Sequence, residues 1–397
     1  MNNKGYKRKE ERILSILLFC GILTAGILIK EPLLKGLGSI SSEFSDKIIF
    51  TSLMLEKPKT TAEYLWQNYV RQDNEYDLKE EIHEEKAEPL ESSSQNAEIE
   101  EIPLPQEVEK SDTSESSKKP KKTPPMIEPK YRGTILEQHF GGADNKCFVK
   151  KDGAFIRNYT NLTAEKILEI LEKKTSLKID DTDEPQVLIY HTHATESFEE
   201  YDSEYYDTRG SWRSTDNNKN MTAVGDELEK ALKAKGIGVV HDYTHHDYPS
   251  YNGSYSRSAE TIKSYLEKYP TIKVALDLHR DGIEKDGNII VKSKAQINGE
   301  KASQVMVVCA CDESYQVIPK WEENFRFGMD ITCALEKNYK GLTRPLYLCN
   351  AKYNMDLLSG LLILEFGTNA NTVEEAKITA NAVGEVLGDL LKSYGEE

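Results

Sequence analysis

Hydrophobic positions fall into two regimes along this chain. The first is a single uninterrupted run. Residues 13–29 carry no charge, and Lys4, Lys7, Arg8, Lys9 and Arg12 precede them. Seventeen uncharged residues are the short end of a membrane-spanning helix, and a basic flank stays on the cytoplasmic side. The pattern predicts a cytoplasmic tail (1–12), an anchor (13–29) and an extracytoplasmic remainder. A cleaved signal peptide is the competing reading. The small triplet Thr24-Ala25-Gly26 lies inside the run and not after it, which favours an uncleaved anchor. The second regime begins near residue 131, where short apolar strands alternate with helical periodicity.

Between the two lie segments of weaker pattern. Residues 30–70 have apolar positions too irregular in spacing to fix an element, and are expected to be juxtamembrane. Residues 71–130 hold 17 acidic against nine basic residues and seven of the chain's 14 prolines. That composition cannot bury a core and predicts a disordered acidic, proline-rich linker. About 60 such residues span roughly 40 Å root-mean-square, enough to tether a domain that searches a nearby layer.

Residues 131–397 read as one globular domain. Residues 148–150 and 154–156 form a hairpin around Asp152-Gly153. Asn161 or Thr163 caps a helix through Ile167 and Leu171. Residues 187–190 are a strand. Val224, Leu228 and Leu232 recur at helical spacing over 221–235, with Gly236 as the stop. Strands follow at 237–240, 272–278 and 361–364, and helices at 256–268, 321–340 and 372–394. Residues 288–291 and 304–309 are read as a β pair. The rhythm predicts an α/β fold, a mostly parallel sheet with helices on both faces.

Charge and cysteine content narrow the function classes. The formal net charge is −16 and no long segment is basic, so nucleic acid is not an expected partner. Six cysteines are scattered without a Cys-x-x-Cys pair, which argues against a thiolate zinc site. They read as buried free thiols. No Gly-x-Ser-x-Gly elbow occurs, which disfavours a serine hydrolase.

The candidate chemistry sits where apolar strands stop. His191, His193 and Glu196 follow the 187–190 strand, His279 follows 272–278, and Glu365 follows 361–364. Two His and one Glu form a known three-ligand zinc set with one open position. His193-x-x-Glu196 lets a nitrogen and a carboxylate converge from one turn, and His279 can close the triangle. Glu365, directly after four apolar residues, is the candidate acid/base; its alternative is a salt bridge to Arg280. His191 shares a face with His193 and is read as a supporting or substrate-facing group. His241, His245 and His246 form a further histidine cluster with no accompanying carboxylate pattern. They are expected to shape a polar loop beside the site; the competing reading is a second metal cluster. Arg257 is read as binding a substrate carboxylate or holding Asp281. Arg280 and Asn369 flank the expected site.

Five motifs in order then carry a resemblance. They are Leu188-Ile189-Tyr190-His191-Thr192-His193 with Glu196-Ser197-Phe198; His241-Asp242-x-Thr244-x-His246-Asp247; Tyr251-Asn252-Gly253-Ser254-Tyr255; Asp277-Leu278-His279-Arg280-Asp281; and Leu364-Glu365-Phe366-Gly367-Thr368-Asn369. Over 131–397 the chain resembles the stage II sporulation protein P family. The resemblance implies a zinc-dependent peptidoglycan hydrolase, related to N-acetylmuramoyl-L-alanine amidases, that removes stem peptides from glycan strands. It also implies an endopeptidase activity. Implied partners are peptidoglycan and sporulation proteins D and M, at the mother-cell side of the engulfing membrane. By resemblance His193, Glu196 and His279 hold Zn2+ and Glu365 is catalytic. In the related amidases the ligand Glu lies nearer the first helix, around 217–220 here, where no Glu stands. Glu196 instead fits a carboxypeptidase-like spacing. A metallocarboxypeptidase and a non-catalytic wall-binding scaffold are the competing functions.

Overall fold

Apolar runs of four to eight residues become the strands of one large sheet. The computed structural model describes residues 124–397, apart from 144, 146, 181, 396 and 397. The expected tail, anchor, juxtamembrane segment and nearly all of the linker lie outside the described residues. Among the described residues no helix is long and apolar enough to cross a membrane.

In chain order the elements are β1 (Arg132–Gln138), β2 (Phe148–Lys151), β3 (Ala154–Tyr159), α1 (Ala164–Ile170), β4 (Val187–Tyr190), β5 (Tyr205–Asp207), α2 (Met221–Ala234), β6 (Val239–His241), α3 (Ser254–Lys268), β7 (Val274–Asp281), β8 (Glu284–Lys285), β9 (Ile289–Ser293), β10 (Ala295–Ile297), β11 (Glu300–Ala302), β12 (Val305–Ala310), α4 (Trp321–Asn338), β13 (Leu346–Cys349), β14 (Leu361–Thr368) and α5 (Val373–Ser393).

The large sheet has eight strands in the order β2-β3-β13-β12-β14-β7-β4-β6. It is mixed. Strands β14, β7, β4 and β6 run parallel as neighbours, and so do β3, β13 and β12. The β12–β14 and β2–β3 pairs are antiparallel. The β2–β3 hairpin turns on Asp152 and Gly153, both at positive φ (48° and 89°), as a two-residue turn requires. A four-stranded sheet, β5-β1-β9-β8, stands apart. Its small core is Ile135, Tyr206, Ile290 and Ala370, with Trp212 packed against it.

The expected pairing of 288–291 with 304–309 is not what forms. β9 joins β1 in the smaller sheet, whereas β12 lies between β13 and β14 in the large one. Both segments are apolar enough to be strands; partner choice is a long-range matter that local pattern does not encode.

Helices start where the sequence offers a cap. Thr163 accepts from the Lys166 amide at α1, Asn220 from the Thr222 amide at α2, and Thr372 with Glu375 forms a full capping box at α5. Helix α2 buries Val224, Leu228, Ala231 and Leu232 and packs along α5. The five described cysteines are unbridged thiols; Cys309, Cys311 and Cys349 are buried.

Two strands outrun their expected ends. β7 continues through His279 to Asp281, and β14 continues through Glu365 to Thr368. Every residue of β7 is buried, including Asp277, His279, Arg280 and Asp281. Ionisable groups inside a sheet are costly unless paired, so β7 is where the site must be sought.

Candidate metal centre

Strand β4 stops at Tyr190, yet the chain stays buried through Phe198. Two aspartates hold it there. The Thr192 amide and hydroxyl donate to the two oxygens of Asp277 at 2.8 and 2.6 Å. The Thr195 amide and hydroxyl donate to the two oxygens of Asp247 at 3.2 and 2.6 Å. His193, between these anchor points, therefore has a fixed backbone.

Parallel pairing of β7 with β14 sets His279 directly beside Glu365. Past Glu365 the register shifts before Thr368 resumes pairing with Asp281. Gly367 lies at φ 75° in that irregularity, and a Cβ there would stand 2.8 Å from Asn371 Oδ1 and from Ser303 Cβ. Glycine is required on both counts. The His193 ring meets the His279 ring edge-on at 5.2 Å and stacks on Tyr251 at 4.5 Å. His279 Nε2 lies 3.0 Å from Asp277 Oδ1, off the axis of a straight hydrogen bond. Its Nδ1 lies 3.6 Å from Glu196 Oε2. Glu196 accepts the Arg280 amide at 3.0 Å, and Arg213 Nη2 lies 3.6 Å from its other oxygen. Arg280 itself donates to the Ser197 and Trp212 carbonyls, both at 3.0 Å.

Several enclosed atoms here lack a hydrogen-bond partner: His193 Nδ1, His279 Nε2, Glu365 Oε2 and Asn369 Oδ1. Burial pushes the Glu365 carboxyl up to about 8; Asp281 adds to the rise and His279 opposes it. Burial and the neighbouring His279 and Arg213 hold His193 well below the usual imidazole range. For His279 burial works the same way, but Asp277, Glu196 and Glu365 outweigh it and raise the ring to about 10. A neutral His193, a His279 backed by a carboxylate and a half-buried acid with raised pKa form a donor set suited to a metal and a proton carrier.

The structure brings His193, Glu196, His279, Glu365, Arg280 and Asn369 into one neighbourhood. Asn369 joins through its amide, which donates to the Asp281 carbonyl at 2.8 Å. His191 is turned elsewhere. Its Nδ1 is 3.2 Å from the Leu278 carbonyl and its Nε2 is 2.8 Å from His241 Nε2. Burial, then His241, pushes its pKa well down. Arg257 donates to the carbonyls of His246, Ser250 and Asn252, so it clamps the 246–252 loop. The group on Asp281 is Arg344, at 2.6 Å.

Sequence reasoning missed several participants. Asp277 and Asp247 were passed over as anchors, and Arg213 as a charge partner. It also missed two carboxylates for His241. Asp226 and Glu229, three apart on α2, bring one oxygen each to His241. These three donors lie within 4.8 Å of one another, with Asp226 exposed, Glu229 half-buried and His241 buried. Among the described residues this is the grouping tight enough to hold a metal ion as it stands; His193, Glu196 and His279 are less closely drawn together. The three histidines of 241–246 do not converge: His245 faces Asn217 and His246 faces the His191 carbonyl and Thr261.

Comparison with known proteins adds identity to this geometry. Residues 55–388 match the family model described as stage II sporulation protein P (SpoIIP). Stage II sporulation protein P of Bacillus subtilis (strain 168) is 30% identical over 221 residues, covering 52% of this chain and 51% of that protein. The chain thus spans about half the length of the curated relative it matches. Among solved structures, the CwlD amidase of Clostridioides difficile in complex with the GerS lipoprotein aligns at 10% identity and a TM-score of 0.33, covering 53% of this chain and 98% of that one. The apo N-acetylmuramyl-L-alanine amidase Ami1 of Mycobacterium abscessus aligns at 13% identity and 0.31, covering 53% and 99%. Scores this low carry no argument about the site.

Proposed function

The chain belongs to the stage II sporulation protein P family, and from that premise we propose that it is a membrane-anchored, zinc-dependent peptidoglycan hydrolase acting in sporulation. In this reading it removes stem peptides from glycan strands as an N-acetylmuramoyl-L-alanine amidase, with endopeptidase activity as a second capacity. Residues 13–29 form the anchor, and sporulation proteins D and M are the expected partners at the engulfing membrane.

The observation that carries the reading is the pairing of His279 with Glu365 across β7 and β14, with Glu365 Oε2 enclosed and unpartnered. An acid left so is poised to exchange a proton with something not of the protein. His193, Glu196 and His279 would hold zinc. The fit rests on their chemistry: two imidazoles, with His193 Nδ1 buried and unpartnered and His279 Nδ1 3.6 Å from a Glu196 carboxylate oxygen. Zinc, when bound, supplies a water acidic enough to attack near neutral pH and polarises the scissile carbonyl.

The chain's own residues do the remainder. Asp277, beside His279 Nε2, fixes the ring so that Nδ1 faces Glu196. Arg280 orients Glu196 through its amide. Glu365 takes a proton at Oε2 and returns it to the departing amine, which its raised pKa suits. Tyr251, stacked on His193, walls the site. The test is mass spectrometry of purified peptidoglycan incubated with the full chain, with and without a chelator, for wild type and Glu365→Gln. Stem peptides freed from intact glycan strands by wild type alone, with zinc retained in the variant, are expected. Unchanged release by Glu365→Gln would overturn the assignment.

A further inference from the structure

Helix α2 and strand β6 meet across an unusual contact. His241 is enclosed, with 1% of its side chain exposed. Its Nε2 is 2.8 Å from His191 Nε2, and His191 Nδ1 faces the Leu278 carbonyl. A carbonyl only accepts, so His191 carries its proton on Nδ1. Its Nε2 then accepts from His241 Nε2–H, so a neutral His241 has its lone pair on Nδ1. That atom makes no hydrogen bond of good geometry. It points at two carboxylates, with Asp226 Oδ1 3.4 Å away and Glu229 Oε2 3.5 Å away. A lone pair aimed at two anions is repulsive, so either a proton on Nδ1 or a metal cation lies between them.

The spacing fits one class of cation. Zinc bonds to nitrogen and oxygen at about 2.0–2.1 Å, and tetrahedral geometry then sets neighbouring ligand atoms about 3.4 Å apart. The two distances from His241 Nδ1 match that edge. The surroundings are arranged for the contact. Gly225 precedes Asp226, and a Cβ there would stand 2.6 Å from His241 Nε2 and 2.9 Å from His191 Nε2. Tyr243 donates its hydroxyl to Asp226 Oδ1 at 2.6 Å, and Lys233 takes the other Glu229 oxygen at 2.6 Å. Glu229 is thus held through the oxygen turned away from His241, whereas Tyr243 and His241 meet the same Asp226 oxygen. Asp226, with 51% of its side chain exposed, leaves an entry path from solvent.

We propose that Asp226, Glu229 and His241 form a second divalent-cation site, of zinc or manganese type, that clips α2 to β6 behind His191. Two oxygens and one imidazole suit those ions, and the set lacks the thiolates that softer ions prefer. The site contains no unpartnered acid, so it holds an ion and transfers no proton. It does not depend on the hydrolase reading, because none of its ligands belongs to that reaction.

The test uses the full chain, Zn2+ as the probe, and bound metal measured by mass spectrometry after dialysis. Wild type is expected to retain one zinc ion at this site, beside the one proposed for His193, Glu196 and His279. Asp226→Asn with Glu229→Gln should lose one and keep the other, and His279→Ala should lose the other one. In the His279→Ala background, added Zn2+ should raise the thermal midpoint, and Asp226→Asn should remove that rise. Asp226 is exposed and the replacement is isosteric, so the variant keeps its fold. Equal zinc in wild type and the double variant, or no midpoint rise in His279→Ala, would mean that the carboxylates hold a protonated His241 and no metal, and would overturn the inference. Absence of peptidoglycan cleavage would bear on the proposed hydrolase and leave this result standing.

Discussion

His193, Glu196, His279 and Glu365 come from the outgoing parts of three neighbouring strands, whereas Asp226, Glu229 and His241 come from one helix face and the strand beside it. The first group is buried apart from Glu365, which is half-buried with its Oε2 enclosed and without a hydrogen-bond partner. The second is open at Asp226, and both of its acids have partners in Tyr243 and Lys233. The contrast separates two uses of the same residue types. A half-buried carboxylate with an enclosed, unpartnered oxygen and a raised pKa can carry a proton; paired carboxylates around a buried imidazole can only hold a charge. His191 lies two residues before His193 in sequence but bonds to the second group, through His241.

Glu365→Gln is the sharpest way to break the comparison. It should lower peptidoglycan cleavage by on the order of 10²–10⁴-fold without changing zinc content. Asp226→Asn with Glu229→Gln should leave cleavage within a few-fold of wild type. Cleavage assays on both proteins decide it: equal losses would merge the two clusters into one machine. Next in size is Asp277→Asn. Its amide no longer offers a carboxylate to His279 Nε2, and zinc affinity at the strand-borne cluster should fall roughly 10–100-fold. Competition with a chelator measures this, and the helix-borne cluster should be unmoved.

What the chain revealed in advance follows the same division. Strand β4 was legible as 187–190 because four apolar residues end abruptly in polar ones. His193, Glu196, His279 and Glu365 were legible as a group because each follows such a run. Their depth inside the sheet was not. Backbone pairing carries β7 and β14 on through Glu365↔His279 and Thr368↔Asp281, since ladder hydrogen bonds are indifferent to side-chain polarity. Asp226 and Glu229 were illegible for a different reason. Two acids at i and i+3 on an amphipathic helix read as a solvated face, and only the tertiary contact of α2 with β6 turns them toward His241. The one local hint was Gly225, a helix-interior glycine with no caping role.

That glycine supplies a smaller, structural test. Gly225→Ala would place a methyl against both imidazoles. Overpacking of this kind costs about 1–3 kcal/mol, so the thermal midpoint should drop while the strand-borne cluster still binds zinc. Urea unfolding with zinc binding followed in parallel checks both halves. Loss of zinc from both clusters would show that they share one support.

The smallest effect isolates a charge that belongs to neither cluster. Burial opposes ionisation of Asp202, but Lys301 and Lys292 outweigh it and hold the carboxyl at about 2, below its ordinary 3.8. Lys292 is 2.9 Å from Asp202 and 3.3 Å from Glu375, so the pair ties β9 to the first turn of α5. Because the folded pKa is depressed, the carboxylate's contribution is complete above the unfolded value near 4 and is lost as pH falls toward 2. Asp202 is partly exposed, and screening reduces the contribution to on the order of 1 kcal/mol. In Asp202→Asn the stability measured by urea unfolding should be lower at pH 6, and the further loss on acidification from pH 4 to pH 2 should be shallower than in wild type. An unchanged acid limb would assign the domain's acid sensitivity to the clusters themselves, where metal release and protonation of the ligands act together.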